Sequence, residues 1–295
     1  FYLMVNLNIK LPDNFFEAEV KNGFLVSKER KELWGVELDL LWQFKNICDK
    51  YHLKHYLDGG TLLGAVRHGG FIPWDDDIDI AMPRTDYDRF LECAVKELNY
   101  PYFVQNDWTD STFYCCTKLR RSDTTCIHKK DLEGHFTFNQ GIFIDICPFD
   151  NVPDDLVERQ KFMHQLHLIK LEALAVKTRI QCYDSSKENT SRLLYLREKY
   201  QELRQRYNVL STESFGNLTF PNKIQSLRNA RDYNNKVYLK FEWGMFPAPE
   251  VYLSVLTNIY GNDFMVPMPG RSMHGELLVN TSIGYKDNYN QFMSL

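Results

Sequence analysis

The chain is 295 residues long, 44% hydrophobic and 25% charged, an ordinary globular balance with length for one large domain or two small ones. A formal net charge of −4 argues against a non-specific nucleic-acid binder, which needs a basic footprint, but allows a small anion held by a few local Arg and Lys. Seven cysteines without paired CxxC or HxxxH spacing argue against a structural zinc site and suit free thiols in a reducing compartment.

Taken in chain order, residues 28–52 carry Leu33, Leu40, Leu41, Phe44, Ile47, Cys48 and Tyr51 at helical spacings and predict an amphipathic helix. His55-Tyr56-Leu57 predicts a short strand, ended by Asp58-Gly59-Gly60, and a short helix is expected over Thr61–Arg67. A Gly69-Gly70 turn and a loop through Pro73 follow. Asp77–Met82 alternates acid and apolar residues, the period of a strand, and Pro83 and Thr85 open a helix over 86–98. Phe113–Leu119 and Gly141–Cys147 predict two more strands. Residues 154–181 and 190–207 read as helices, 208–235 as polar and irregular, and the tail from 236 as short strands with a helix near 249–259. The fold class is α+β, as one domain over 1–295 with a core at 28–150, a helical insertion at 151–235 and a C-terminal segment at 236–295. No run of about 18 apolar residues marks a transmembrane helix, and Phe1–Val5 is too short for a signal h-region. The expectation is a cytoplasmic protein, with work at the inner face of the membrane as its extension.

The informative stretch is Phe71-Ile72-Pro73-Trp74-Asp75-Asp76-Asp77-Ile78-Asp79-Ile80. On a strand, Asp77 and Asp79 share one face while Ile78 and Ile80 enter a core. Adjacent carboxylates repel unless a divalent cation lies between them, and hard oxygen donors of this kind suit Mg²⁺, with Mn²⁺ as a substitute. A solvated acidic loop is the plainer alternative, but it has no reason to alternate with isoleucine. Ile144-Asp145-Ile146 sets a third carboxylate in an apolar strand, where it is costly unless paired or metal-bound. Three convergent acids meet the needs of two-metal phosphoryl transfer; a salt bridge from Asp145 to Arg or Lys is the competing account. Upstream, Gly59, Gly60 and Thr61 open a helix whose N-terminus suits a phosphate. The order Gly-Gly, acid-apolar-acid, apolar-acid-apolar marks a polymerase β-like nucleotidyltransferase core, a small mixed sheet with helices. The sixteen residues 61 to 76 between Gly60 and Asp77 are more than most members of that superfamily have.

The run from Tyr56 through Ile80 closely resembles the LicD family, which includes bacterial phosphorylcholine transferases and shares its core with fukutin and fukutin-related protein. Further matching pieces are Lys118-Leu119-Arg120 with Thr124-Thr125, Gly141–Ile146, Met245–Pro249, Leu256–Gly261, and Arg271 with His274. The resemblance accounts for the wide Gly-to-Asp spacing and covers about residues 56–275, the helical middle in general character alone. It implies transfer of phosphorylcholine, or a similar phosphoalcohol, from CDP-choline or a related CDP-alcohol to a sugar hydroxyl, with release of CMP. The family's acceptors are teichoic acids, lipopolysaccharide and capsule sugars, lipid-linked forms among them. By that analogy Asp77, Asp79 and Asp145 hold Mg²⁺ against the diphosphate, and Asp145 is the candidate general base.

The supporting residues each have a plainer account. Arg67 and His68 close the short helix and either reach the diphosphate or cap free carbonyls. Lys118 and Arg120, two apart on a strand, present two charges to an anion or decorate a sheet edge. Trp74 beside the acids, with Trp108, Trp243, Tyr102 and Phe246 elsewhere, are candidates for a cation–π cage around choline or are plain core. Arg271 and His274 stand in a Gly/Pro-bounded tail that either folds over the site or lies free on the surface. Two other functions compete: a nucleotidyltransferase moving NMP from a nucleoside triphosphate to a small molecule or sugar, and a non-catalytic binding protein on the same scaffold. The long LicD-like run separates the first, and the presence of all three acids the second.

Overall fold

The long first helix starts where Ser27 accepts the Arg30 N–H at 3.3 Å and stops where His52 turns left-handed. In the computed structural model, which describes residues 4–110, 113–129, 132, 138–268 and 277–288, this helix is α1 (Lys28–Tyr51). The other helices are α2 (Gly59–His68), α3 (Arg84–Glu97), α4 (Leu156–Cys182), α5 (Lys187–Arg204) and α6 (Tyr252–Tyr260). The strands are β1 (Glu19–Lys21), β2 (Phe24–Val26), β3 (Tyr56–Leu57), β4 (Asp79–Pro83), β5 (Tyr102–Gln105), β6 (Thr117–Arg121) and β7 (Thr125–His128). They continue with β8 (Ile142–Asn151), β9 (Ser214–Asn217), β10 (Leu227–Asn229), β11 (Lys236–Phe241), β12 (Gly244–Pro249) and β13 (Leu277–Asn280).

Seven strands form one mixed sheet around the long strand β8. β4 runs parallel to β8 along one edge, while β6 and then β9 run antiparallel along the other. β3 and β10 extend the sheet past β4 and β9, and β5 pairs with β6. Ribbons β1–β2, β11–β12 and β7–β13 lie outside this sheet. One sheet face carries Ile80, Met82, Leu119, Ile144 and Ile146, all 0% exposed. Helices α1 and α3 cover it, with Phe44 of α1 and Phe90 of α3 at a ring separation of 5.0 Å. Strand alternation sends Asp79 and Asp145 to the opposite face.

Helices α4 and α5 pack on each other and close a second apolar cluster with Phe162, Leu166, Leu193, Leu196 and Tyr200. The tie between the two cores is ionic. Asp150 of β8 is fully buried, with Arg84 Nε and Arg204 Nε donating to it at 2.7 Å each and Asn208 Nδ2 at 2.7 Å. Burial alone would raise the Asp150 pKa, but Arg204 and Arg84 outweigh it and hold the carboxyl below its ordinary value.

The expected elements are present with four shifts. β4 begins at Asp79, so Asp77 lies ahead of the strand; the bend after Pro73 uses up the residues that periodicity assigned to it. Gly59 and Gly60 belong to the first turn of α2 rather than to a preceding turn. β6 begins at Thr117, and Phe113 packs instead in the second core. Residues 208–235 are not wholly irregular: β9 and β10, four and three residues long, extend the main sheet and are too short to show a period.

Asp150→Ala leaves two guanidiniums without their shared counter-ion and is expected to cost about 3–5 kcal/mol, measured by urea unfolding. The lowered pKa fixes the sign with pH. The carboxylate's contribution is present above the ordinary Asp range and is lost as pH falls through the depressed value, so the variant also loses part of the wild type's acid sensitivity.

Candidate active site

The site is built on the register of β4 against β8. Asp79 stands opposite Asp145, and the Asp145 N–H donates to Ile78 O at 2.8 Å just before the strand begins. The Asp79 N–H donates to Thr61 Oγ1 at 2.8 Å, which ties the head of β4 to the first turn of α2. Asp77, though outside the strand, turns its carboxylate into the same space. Asp77, Asp79 and Asp145 each offer an oxygen, and these lie within 4.8 Å of one another; Asp75, Asp76 and Asp77 form a second such group. Burial pushes the Asp77 and Asp79 carboxyls well up, and repulsion from neighbouring acids, Asp145 among them, adds to it. A divalent cation relieves both costs, so three hard oxygen donors at this separation fit a Mg²⁺-type ion.

Gly59 and Gly60 serve the acids. Gly59 has φ +51°, and a Cβ there would stand 2.7 Å from Asp79 Oδ2; at Gly60 it would stand 2.7 Å from Asp75 Oδ2. The amino end of α2 therefore approaches the carboxylates as closely as backbone allows, with its first N–H groups beside the position an anion would take.

Lys118 Nζ donates to Asp145 at 2.6 and 2.9 Å and lies 3.6 Å from the centroid of the Phe143 ring. The salt bridge considered for Asp145 is thus present alongside the carboxylate group. Burial disfavours the Lys118 charge, but Asp145 and Cys116 outweigh it and hold the pKa above the ordinary value. Arg120 shares this sheet face but is buried, donating to Gln105 Oε1 at 2.5 Å and Gly141 O at 2.6 Å. Arg67 donates to Phe264 O at 2.7 Å, bracing the C-terminal segment against α2. The His68 pKa is lowered to about 4 by burial and then by Arg67; its ring stands edge-on to Trp74. Trp74 also meets Phe24 edge-on. The other cage candidates lie apart: Tyr102 donates to Asp39, Arg197 covers Trp108, and Trp243 packs on Trp42 and Phe246. Arg271 and His274 lie outside the described residues.

Three contributors on α1 escaped the sequence reading. Arg30 Nη1 and Trp34 Nε1 both donate to Asp75 O, at 2.8 and 3.0 Å, and Arg30 lies 3.6 Å from Asp76 Oδ2. Glu37 is 1% exposed, and burial followed by Asp76 pushes its carboxyl well up. Residues 30, 34 and 37 form an i, i+4, i+7 stripe, a signal available in the sequence but hidden among the apolar positions of the same helix. Tyr260, at the end of α6, is the fourth. Burial raises its phenol, and the negative charges of Asp79, Asp58, Asp75 and Asp77 raise it further.

A family model described as LicD/FKTN/FKRP, nucleotidyltransferase domain, matches residues 52–177. The chain is 28% identical over 243 residues to lipopolysaccharide cholinephosphotransferase LicD of Haemophilus influenzae, covering 78% of this chain and 89% of that protein. It is 32% identical over 156 residues to an uncharacterized protein of Rickettsia prowazekii, covering 52% of this chain and 51% of that protein. A stretch of 30 residues is 53% identical to ribitol 5-phosphate transferase FKRP of Homo sapiens, covering 10% of this chain and 6% of that protein. Residues 52–177 contain α2, β4 and the start of β8, with Gly59, Gly60 and all three converging acids, so the similarity to the LicD/FKTN/FKRP nucleotidyltransferase domain falls on the candidate site itself.

Proposed function

We propose that this protein moves a phosphoalcohol, phosphorylcholine first among them, from a CDP-activated donor to a sugar hydroxyl of a cell-surface glycan and releases CMP. The observation that carries the reading is the group of Asp77, Asp79 and Asp145 oxygens within 4.8 Å, inside the stretch similar to the LicD/FKTN/FKRP domain. The activity for which the H. influenzae relative is named supports phosphorylcholine and a lipopolysaccharide-type acceptor, and that of human FKRP supports phosphoalcohol transfer more broadly. Teichoic acid is the alternative acceptor. The mixed sheet with its parallel acid-bearing strands supports a polymerase β-like core. None of the described helices is long and apolar enough to cross a membrane; work at the inner membrane face belongs to the proposal through a lipid-linked acceptor.

A Mg²⁺ or Mn²⁺ ion held by these carboxylates would neutralise the donor diphosphate and the charge that develops on the attacking and leaving oxygens. The chain's own residues do the rest. Asp145 takes the proton of the sugar hydroxyl as its oxygen attacks the β-phosphorus, and the bond to the CMP oxygen breaks. Lys118, bonded to both Asp145 oxygens, fixes the direction in which that carboxylate points. The amino end of α2 gives N–H groups to the phosphate oxygens. Arg67 braces the segment at Phe264 against α2.

Incubation with CDP-choline, Mg²⁺ and a hexosamine-containing acceptor, with nucleoside triphosphates in a parallel tube, tests the reaction. CMP should appear with metal and acceptor together, and Asp145→Asn should slow it by on the order of 10²–10⁴-fold. Pyrophosphate from a triphosphate, with CDP-choline intact, would instead mean nucleotidyl transfer. Stability tests the metal independently of turnover. Because the folded-state pKa values of Asp77 and Asp79 are raised, their stabilising neutral forms persist below the ordinary carboxylate range and are lost as pH rises through the raised values. At neutral pH in a chelator, Asp79→Asn should therefore melt above the wild type, and Mg²⁺ should raise the melting temperature of the wild type alone. An equal Mg²⁺ increment in both proteins removes Asp79 from the metal site.

A further inference from the structure

A cavity of about 270 Å³ opens at the other end of the acid-bearing strands. Its floor is aromatic: Tyr56, Phe149, Phe215 and Tyr233. Tyr233 stands edge-on to Tyr56, Phe149 and Phe215 at ring separations of 5.0, 5.4 and 5.0 Å, and Phe149 stacks on Phe215. Strand registers put this floor on the same sheet face as the carboxylates. Asp79 pairs with Asp145 and, farther along the same two strands, Pro83 with Phe149. Phe215 pairs with Asn151, and Tyr56 with Ala81, so all of them share the face of Asp79 and Asp145. From Asp79 to Pro83 the strand advances about 13 Å, at roughly 3.3 Å per residue.

The far wall is built differently. Arg84 and Asn208 line it, but both are bonded to Asp150. Lys54 and Thr85 also line it. Among the described residues the Lys54 ammonium and the Thr85 hydroxyl have no hydrogen-bond or ion-pair partner, while the Lys54 backbone N–H donates to Asp86 Oδ1. Pro83, at the cap of the fourteen-residue helix α3, provides no side-chain cap, and with Arg84 and Thr85 it sets the amino end of that helix at the cavity. An exposed cation, an exposed hydroxyl and a helix amino end beside an aromatic floor suit a ring with an apolar face and an attached anion.

The CDP-alcohol donor does not meet that description, because its charge lies in the diphosphate at the acids and its cytidine end is neutral. We propose that this cavity is a distal acceptor subsite that receives a phosphorylated sugar residue, about 13 Å along the sheet from the hydroxyl that reacts. The sugar's apolar face lies on Tyr56, Phe215 and Tyr233, and its phosphate meets Lys54, Thr85 and the amino end of α3. This assignment rests on the glycan acceptor proposed above and extends it: the acceptor is itself anionic, and the enzyme measures the spacing between its phosphate and the free hydroxyl.

Calorimetric titration of the full chain in chelator, with glucose 6-phosphate and with glucose, tests the site without any turnover. Glucose 6-phosphate should bind saturably and glucose at least about tenfold more weakly. Lys54→Glu and Thr85→Asp, both at exposed positions, should each weaken glucose 6-phosphate about tenfold or more with the melting temperature unchanged. Asp79→Asn should bind it as the wild type does. Equal binding of the two sugars, or glucose 6-phosphate binding untouched by Lys54→Glu, overturns the subsite. So does competitive displacement of glucose 6-phosphate by CMP, which would make the cavity the nucleotide's. A protein that releases no CMP from CDP-choline but binds glucose 6-phosphate through Lys54 keeps the site and loses the reaction. Lys54-independent binding alongside CMP release does the reverse.

Discussion

Parallel pairing of β4 with β8 sets Asp79 directly against Asp145, and most of the site follows from having to live with that contact. Two carboxylates at neighbouring strand heads repel, and burial makes the repulsion stronger. Burial first, and then this repulsion, push the Asp77 and Asp79 carboxyls well above their ordinary range. The surrounding structure spends much of its bonding on holding the acids there. Thr61 fixes the Asp79 backbone, Arg30 and Trp34 fix that of Asp75, and Lys118 clamps Asp145. A fold that resists relaxation around repelling charges is preorganised for a cation that removes the repulsion.

The same sheet explains how the α4–α5 hairpin is mounted. β8 is long enough to carry Asp145 near its start and Asp150 near its end. The first gathers acids and the second gathers arginines, Arg84 from α3 and Arg204 from α5. One strand thus links the acidic site to the ionic joint between the two hydrophobic cores. The α4–α5 hairpin is in this sense anchored to the backbone that positions Asp145, although its apolar cluster is separate.

Much of this was legible in the sequence because the signals were local. The apolar positions of α1, the acid–isoleucine alternation leading into β4 and the isolated Asp145 in an apolar strand each marked its own place in the fold. Legibility failed where roles depended on distant partners. Arg120 looked like a substrate cation beside Lys118, yet its guanidinium is used by Gln105 and the Gly141 carbonyl. Arg67 looked like a phosphate ligand but bonds Phe264 O, 197 residues away in the chain. Tyr260 carries no local pattern, and Glu37 only its place in the stripe of residues 30, 34 and 37; it is the fold that brings both within electrostatic reach of the acids. The cavity at the far end of β4 is assembled from residues scattered between 54 and 233 and had no motif to announce it.

The two glycines that open α2 have a use outside this molecule. Each lies so close to a carboxylate that even a methyl group would meet it at 2.7 Å, and Gly59 also needs a positive φ. Any side chain there must push Asp79 or Asp75 away from its neighbours. Among related chains, a larger residue at either position is therefore a marker of a rearranged acid group, even where every aspartate is still in place. Two small residues, rather than the charged ones, offer a quick way to sort intact members of the family from those that have kept the scaffold for another purpose.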